Sequence, residues 1–444
     1  MHGLLGLYLP TLVLSFGQGM IFPAVVALAA RFHVSPGLAA QVVSAQFAGR
    51  MVAMLPAGVL ADRRGPQAVL LVGSACALAG PVLMLLPAFW AVVAGQFVMG
   101  AGAGLWVAGR ELSGLHLVRA DQRGRLMSGF FGLQMVGQAA GPVGGGLLVD
   151  AAGLVALFAA LGALGGLVLA MTLLLALPAA VPAAQAASAP APPSDHLPAG
   201  PSDRTRAGPS GVGVALRAPA WGLGGWRAIA PGYLTTFAII VATTWTMSLY
   251  RSSLNTLLPL YAGAGLGFSA AQVGALFGLM SLGVLVMIVP AGLVLDRLGR
   301  KWAAVPAAAL PALAFTLMPL ARSGPQLSLL AVALGVANGV SLGSLSTYSY
   351  DVIPAHARGT LQAQRRIVGD LGSLAGPVSG GLLVHACGAQ CAFLAYVPLL
   401  TGTALALAFG ARETLERVSA PARPGPGRTR ARPPGRSPHR SPGA

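Results

Sequence analysis

The chain has 444 residues, of which 55% are hydrophobic and 9% are charged, and its formal net charge is +17. Because soluble domains carry about 25% charged residues, this composition excludes an ordinary soluble protein. The basic residues lie between apolar segments and not along one face, which argues against a nucleic-acid-binding protein. Three cysteines are too few for a disulfide scaffold. Cys387 and Cys391 could pair on an oxidising face, but we expect them to be small apolar residues without a bond.

Apolar stretches recur along the whole chain, and each is long enough to span a membrane, which takes about 20 predominantly apolar residues. The first lacks the basic leader and cleavage site of a signal peptide, so we expect it to be retained. None alternates apolar and polar residues as a membrane strand does. The sequence therefore predicts an all-α membrane protein with twelve transmembrane helices. The stretches are residues 4–30, 37–60, 67–87, 90–115, 126–149, 154–177, 231–261, 269–294, 302–321, 326–350, 360–384 and 390–410.

Arginines are concentrated in alternate connections between these stretches and in the C-terminal tail. The opposite connections contain only Arg31 and Arg322. The positive-inside rule places the arginine-rich side in the cytoplasm. We therefore expect an integral protein of the cell (inner) membrane with both termini cytoplasmic.

The composition changes abruptly after the sixth stretch. Residues 178–226 are rich in Pro, Ala, Gly and Ser, a composition that is typical of a flexible linker. The basic tail has the same character. The predicted organisation is a six-helix N-terminal half at 1–177, a cytoplasmic linker at 178–226, a six-helix C-terminal half at 227–411 and a disordered cytoplasmic tail at 412–444.

The two halves repeat each other. PAGVLADRRG at 56–65 matches PAGLVLDRLG at 290–299, and GPVGGGLLV at 141–149 matches GPVSGGLLV at 376–384. Two six-helix repeats indicate a duplicated transporter architecture, in which the substrate binds between the repeats near the membrane midplane.

The first repeated segment resembles the loop signature of the major facilitator superfamily, Gly-x-x-x-Asp-Arg-x-Gly followed by basic residues. GLVLDRLGRK at 292–301 is close to the signature, whereas the copy at 58–67 has Pro and Gln in the basic positions. The resemblance covers the chain apart from the linker and the tail, and it implies the fold of that family. It also implies a conformational latch that closes the cytoplasmic side. The candidate latch residues are Gly58, Asp62, Arg63, Gly65, Gly292, Asp296, Arg297, Gly299, Arg300 and Lys301.

The residue types of this loop have a physical explanation. The first glycine of each copy allows a neighbouring backbone to approach the helix end closely. Each aspartate lies at a helix C-terminus, where the helix dipole disfavours negative charge unless a basic group is near. Arginines that only anchored the topology would not account for the aspartates and glycines.

The fifth helix contains GQAAGPVGG, which is similar to the antiporter signature of the family and favours export. Its small residues predict close helix contact, and its proline predicts a bend. The eleventh helix has nearly the same pattern, GSLAGPVSGG at 372–381, so duplicated packing is an alternative explanation. The candidate packing residues of the fifth helix are Gly137, Gly141, Pro142 and Gly145.

Ionisable residues at membrane depth are costly and are candidates for function. The arginine of the family's helix-four signature is replaced by Gln96, so its coupling role does not carry over. Asp370 has Arg366 four residues earlier on the same helix face, and we predict that this pair couples transport to protons or else fixes helix packing. Basic residues outnumber acids, which favours an anionic solute. The candidates are Arg50, Arg110, Glu111, Arg251, Arg365, Arg366 and Asp370.

Other chemistry has no support in the sequence. The one lysine, Lys301, follows Arg300, so there is no phosphate-binding loop for ATP, and the histidines lack metal-ligand spacing. We expect a monomer without enzymatic activity, cofactor or metal. The predicted function is export of a small organic solute by alternating access, coupled to protons. The alternatives are an uptake symporter or uniporter for an anionic organic solute, and a sensor of the same fold that transports nothing.

Overall fold

A computed structural model describes residues 2–118, 122–176, 226, 229–297, 299–341, 344–354 and 357–414. The predicted linker, apart from Trp226, and the tail after residue 414 lie outside the described residues. The described part of the chain is almost entirely helical and contains no β-strand. It therefore consists of packed helices on both sides of the predicted linker.

The N-terminal half contains the first six spans. The first span is interrupted near Pro23, where a short 3-10 turn separates two helical pieces. The short helix Pro36–Ala39 precedes the second span, and Ser35 caps it by accepting a hydrogen bond from the amide of Leu38 at 3.2 Å. The helices are α1 His2–Met20 with its continuation Val25–Phe32, α2 Gln41–Arg64, α3 Pro66–Met84, α4 Phe89–Leu117, and α5 and α6 within Arg123–Met171.

The C-terminal half repeats this arrangement. Its helices are α7 Leu234–Pro259, α8 Ala270–Arg297, α9 Arg300–Leu317, α10 Gly324–Ser341 with its continuation Ser344–Val352, and α11 and α12 within Arg358–Leu405.

Two helices are too long to be single spans. The apolar helices Leu126–Leu175 and Arg358–Gly410 have 50 and 53 residues. At 1.5 Å per residue each would extend about 75 Å, more than twice the hydrocarbon core. Each is broken at a glycine with positive φ, Gly153 at +78° and Gly388 at +83°. Each long helix is therefore a hairpin of two spans, and the ten apolar helices of the described chain provide the twelve predicted spans.

Glycines bring the helix backbones into contact. A Cβ atom at Gly80 of α3 would lie 2.6 Å from the carbonyl oxygen of Gly95 of α4, and one at Gly73 would lie 2.7 Å from the amide nitrogen of Trp106. Membrane helices associate by such close packing, since lipid tails are as apolar as the side chains. These contacts explain the high glycine content of the sequence.

The expectation that Cys387 and Cys391 are unbonded is wrong. The two residues form a disulfide with their Cα atoms 5.7 Å apart, whereas Cys76 is free. The bond spans Gly388 at the turn between α11 and α12. A four-residue spacing brings two side chains together, and the local backbone at this turn allows the sulfur atoms to meet.

Candidate functional site

The two halves meet at one end of the molecule, which we call the closed end. It contains the α1–α2, α5–α6, α7–α8 and α11–α12 turns. A Cβ atom at Gly37 would lie 2.5 Å from the carbonyl oxygen of Gly381, and one at Gly146 would meet the carbonyl oxygen of Ala270. Backbone therefore packs directly on backbone where the halves join.

A carboxylate also joins the halves at the closed end. Asp150, in the α5–α6 turn, accepts hydrogen bonds from the amides of Ala270 at 3.0 Å and Ala271 at 2.9 Å. These amides begin α8, where the helix dipole favours negative charge. Partial burial raises the pKa of Asp150, but the hydrogen bonds from Ser269 and from the two amides outweigh it and hold the pKa below its ordinary value. The sequence analysis did not identify this residue.

A cavity of about 480 Å³ lies between the halves. Phe22 of the N-terminal half and Phe277 of α8 border it towards the closed end, with ring centroids 6.0 Å apart. In the other direction the lining residues Met54, Phe131 and Leu285 are exposed, so the cavity opens towards the opposite end, which we call the open end.

Polar side chains from both halves face this cavity. Its charged lining residues are Arg50, Arg251 and Asp370. Carboxamide side chains complete most of the polar lining: Gln18, Gln46, Gln134, Gln138, Asn255 and Asn338. The cavity therefore combines two cations, one anion and several neutral groups that can both donate and accept hydrogen bonds.

The predicted ion pair between Arg366 and Asp370 is not formed. Among the described residues Asp370 has no ion pair within 4.0 Å, and its carboxylate interacts electrostatically with Arg50 as well as with Arg366. Arg50 belongs to α2 and Asp370 to α11, so the interaction joins the two halves. Helix spacing limits the distance between two backbone positions, but it does not determine where a long side chain ends.

Arg251 is held within the C-terminal half. Its Nε donates to Oδ1 of Asn338 at 2.9 Å, and its Nη2 donates to the hydroxyl of Ser341. The hydroxyl of Tyr250 donates to the same Asn338 oxygen. Arg251 is thus fixed between α7 and α10 and presents its charge from the C-terminal wall of the cavity.

The remaining candidates do not line the cavity. Arg110 is 3% exposed and donates from Nη2 to Oε1 of Gln134 at 2.9 Å. Glu111 interacts with the charges of Arg50 and Arg110 but forms no ion pair within 4.0 Å among the described residues. Arg365 donates to Gln362, Ser346 and, at 3.4 Å, Thr244, so it is held by neutral partners.

The first copy of the candidate latch lies at the open end. Asp62 and Arg63 are exposed in the last turn of α2, four and five residues after Gly58, and neither has an ion pair within 4.0 Å in the described chain. Gly65 follows with φ +80°, a conformation that favours glycine. In this state of the protein the loop does not bridge the halves.

In the second copy, Gly299 also has positive φ, +120°. The amides of Arg300 and Lys301 donate to the carboxylate of Glu413 at 2.9 and 3.0 Å, and Nε of Arg300 donates to Asp351 at 3.0 Å. The structure does not describe the side chains of Asp296 and Arg297 or the surroundings of Gly292. The sequence analysis missed Glu413 and Asp351, although acids are so few in this chain that each one merited attention.

The three candidate packing glycines of the fifth helix face α1. A Cβ atom at Gly137 would lie 2.6 Å from the carbonyl oxygen of Leu12, and Cβ atoms at Gly141 and Gly145 would meet the next carbonyls along the same face of α1. The carbonyl of Pro142 lies against Gly274 of α8. The motif therefore packs α5 against α1 on one side and against the C-terminal half on the other.

Two helical halves around a central cavity form the architecture of secondary transporters. The family model of the Major Facilitator Superfamily matches residues 7–252 and 240–442. The chain belongs to this superfamily, and the predicted all-α membrane fold is confirmed. No curated protein matches the chain.

Solved structures show the same fold. The D-xylose-proton symporter has a TM-score of 0.67 at 16% identity, covering 93% of this chain and 98% of its own. A bacterial homolog of the human lysosomal transporter Spinster, in an inward-facing and unoccupied conformation, has a TM-score of 0.65 at 14% identity, covering 92% and 94%. At these identities the likeness extends to the fold and not to the substrate.

Proposed function

We propose that the protein is a secondary active transporter that moves a small monoanionic organic solute by alternating access, coupled to protons. One observation supports this proposal above the others. The cavity is closed at one end, open at the other, and faced by Arg50 and Asp370 from opposite halves. A pair of opposite charges that spans the halves must change when the halves rock.

The charge of the cavity favours an anion. Two arginines and one aspartate leave one excess positive charge on its wall, and an organic monoanion would neutralise it. The rest of the lining includes phenylalanine and methionine side chains, which suit an apolar body. A volume of about 480 Å³ lies within the usual range of small-molecule sites.

Asp370 is the proposed proton carrier. A carboxyl group at membrane depth exists neutral or charged according to its surroundings, and here one of its two counter-charges, Arg50, comes from the other half of the protein. Separation of Arg50 from Asp370 during the transport cycle would favour protonation. Glu111, which does not line the cavity, is the second candidate.

We assign both termini to the cytoplasm of a cell membrane, because the arginine-rich connections adjoin the open end. The structure then corresponds to a state open to the cytoplasm. We assign residues 1–177 and 227–411 to the two halves of a monomer, joined by a flexible linker at 178–226 and followed by a flexible tail.

Export is the proposed direction, supported by the resemblance of the fifth helix to the antiporter signature. Uptake by symport is the second candidate, because the motif that supports export is also present in the other half. Cβ atoms at Gly372 and Gly376 of α11 would meet the carbonyls of Trp245 and Leu249 of α7. The motif glycines of the fifth helix pack against α1 in the same way. Because both halves use the motif for packing, the motif does not by itself determine direction.

Transport in proteoliposomes tests the proposal. Liposomes containing the full-length protein and an imposed pH gradient would be assayed with labelled benzoate, benzamide and benzylammonium. We expect gradient-driven movement of benzoate alone. The direction relative to the proton gradient separates antiport from symport. Movement of none of the three, under any gradient, would favour the non-transporting sensor.

The carrier is tested by Asp370→Asn, with Glu111→Gln as the matched variant. We expect Asp370→Asn to reduce the accumulation ratio of benzoate to about one while exchange across the membrane persists, because the proton site is lost and the solute site remains. Glu111→Gln should accumulate benzoate as the wild type does. The reverse pattern would assign coupling to Glu111.

A further inference from the structure

A buried cation lies just behind the wall of the cavity. Arg110 of α4 is 3% exposed and does not line the cavity, yet its Nη2 lies 2.9 Å from Oε1 of Gln134, a residue of α5 that does. The guanidinium carbon lies 5.0 Å from the centroid of the Phe130 ring. Arg110 therefore does not face the cavity itself and is connected to it through Gln134.

The chemistry of this hydrogen bond fixes the orientation of the carboxamide. A guanidinium group has five N–H donors and no acceptor, so Gln134 must present its oxygen to Arg110. The NH₂ group of Gln134 is then directed away from Arg110. Because the side chain lines the cavity, that NH₂ group is the part available to a solute.

We propose that Arg110 is a positioning residue that makes Gln134 a hydrogen-bond donor for the carboxylate of an aromatic or aliphatic monocarboxylate. The inference rests on the proposed transport of a monoanion and names its class. Arg50 supplies the balancing charge from α2, and the neighbouring Phe131 and Met135 offer apolar surface for the body of the solute.

The burial of Arg110 needs such an explanation. A buried cation is costly unless it is paired, and no acid lies within 4.0 Å of Arg110 among the described residues. Its Nε has no hydrogen-bond partner in the part of the chain that the structure describes. A neutral side chain could join α4 to α5 without the free-energy cost of burying a charge. It would, however, leave Gln134 free to present either its oxygen or its NH₂ group. The arginine imposes one orientation.

Binding to the purified full-length protein in detergent tests the proposal. The probes are benzoate and hexanoate, compared with their neutral isosteres benzamide and hexanamide, and the readout is ligand-induced thermal stabilisation. We expect the wild type to bind the carboxylates in preference to the amides. Arg110→Gln should weaken carboxylate binding by about tenfold or more, the usual effect of losing a hydrogen bond to a charged group. Amide binding should not weaken.

Three further variants separate positioning from packing. Arg110→Lys keeps a donor without an acceptor and should stay within about threefold of the wild type. Gln134→Leu should lose as much carboxylate affinity as Arg110→Gln. In the Gln134→Leu background, Arg110→Gln should then have no further effect, because the two residues act through one hydrogen bond.

The contrary outcomes are distinct. An equal loss of carboxylate and amide binding in Arg110→Gln would show a structural role only. A further loss in the double variant would show that Arg110 acts through its charge and not through Gln134. Unchanged carboxylate affinity in Arg110→Gln would overturn the positioning role alone. Failure of the wild type to bind either carboxylate would overturn both this inference and the proposed substrate class.

Discussion

The closed and open ends of the molecule are built from related parts but differ in what joins the halves. At the closed end, glycine-lined backbone packs across the halves and Asp150 binds the first amides of α8. At the open end, Asp62 lies exposed in the last turn of α2. One carboxylate thus bridges the halves while the other has no ion pair in the described chain.

The comparison extends to Glu413, which binds the amides at the start of α9 in the same two-oxygen manner. Glu413 belongs to the predicted tail and α9 to the C-terminal half, so this cap ties the start of the tail to that half and does not join the two halves. Asp150 and α8 belong to different halves. Only the Asp150 cap must break when the closed end opens, which identifies it as a contact that favours the present state.

The largest expected effect comes from forcing the closed end apart. Gly146→Leu places a side chain where even a Cβ atom would meet the backbone of Ala270, so the halves cannot close there. We expect transport to fall at least a hundredfold. Accessibility of a Ser373→Cys reporter to thiol reagents, in a Cys76→Ala background, should shift to the opposite face of the membrane.

Gly132→Leu is the matched control for this experiment. Gly132 lies on the same helix, and a Cβ atom there would have no atom within 4 Å. Its transport and reporter accessibility should stay near the wild-type values. Equal damage in both variants would show that α5 does not tolerate leucine for reasons unrelated to the closed end.

A smaller effect is expected when the cap at the closed end is removed. Asp150→Ala deletes both hydrogen bonds to the start of α8, and loss of a helix cap typically costs about 1 kcal/mol. The equilibrium should therefore shift about fivefold towards opening at the closed end, measured with the Ser373→Cys reporter. Asp150→Asn retains one acceptor and should shift it less. An unchanged equilibrium in Asp150→Ala would show that glycine packing alone holds this end.

Asp62→Ala should move the equilibrium in the opposite direction. We propose that Asp62 acts only when the open end closes. Its removal should therefore destabilise the state in which that end is closed and leave the stability of the present state unchanged. Transport should slow several-fold, because the protein would less readily reach the state in which the open end is shut. A shift in the same direction as Asp150→Ala would contradict the latch.

The smallest effect concerns pH. The hydrogen bonds at α8 hold the pKa of Asp150 below its ordinary value, which is about 4. The cap therefore stabilises the closed end fully above that value, and this stabilisation is lost as the pH falls through the lowered pKa. Between pH 5 and pH 8 the reporter equilibrium should not depend on the titration of Asp150. A difference between the wild type and Asp150→Asn that varies across this range would contradict the assigned contacts.

The sequence by itself determined the spans, the two halves and the family. Apolar length, the duplicated motifs and the glycine positions are local properties, and the fold follows them because each helix satisfies its own backbone in lipid. The fifth-helix glycines could likewise be identified as packing residues, since a small residue every four positions marks one helix face.

Only the tertiary structure decided the partners. Asp370 forms no ion pair with Arg366 and interacts with Arg50 of the other half, Arg110 donates a hydrogen bond to Gln134, and Asp150 caps α8. Each of these contacts joins two different helices, and each depends on how far a side chain reaches once the helices have packed. Hydropathy and spacing carry no information about that reach, so the charged residues of the cavity could be nominated from the sequence but their partners could not.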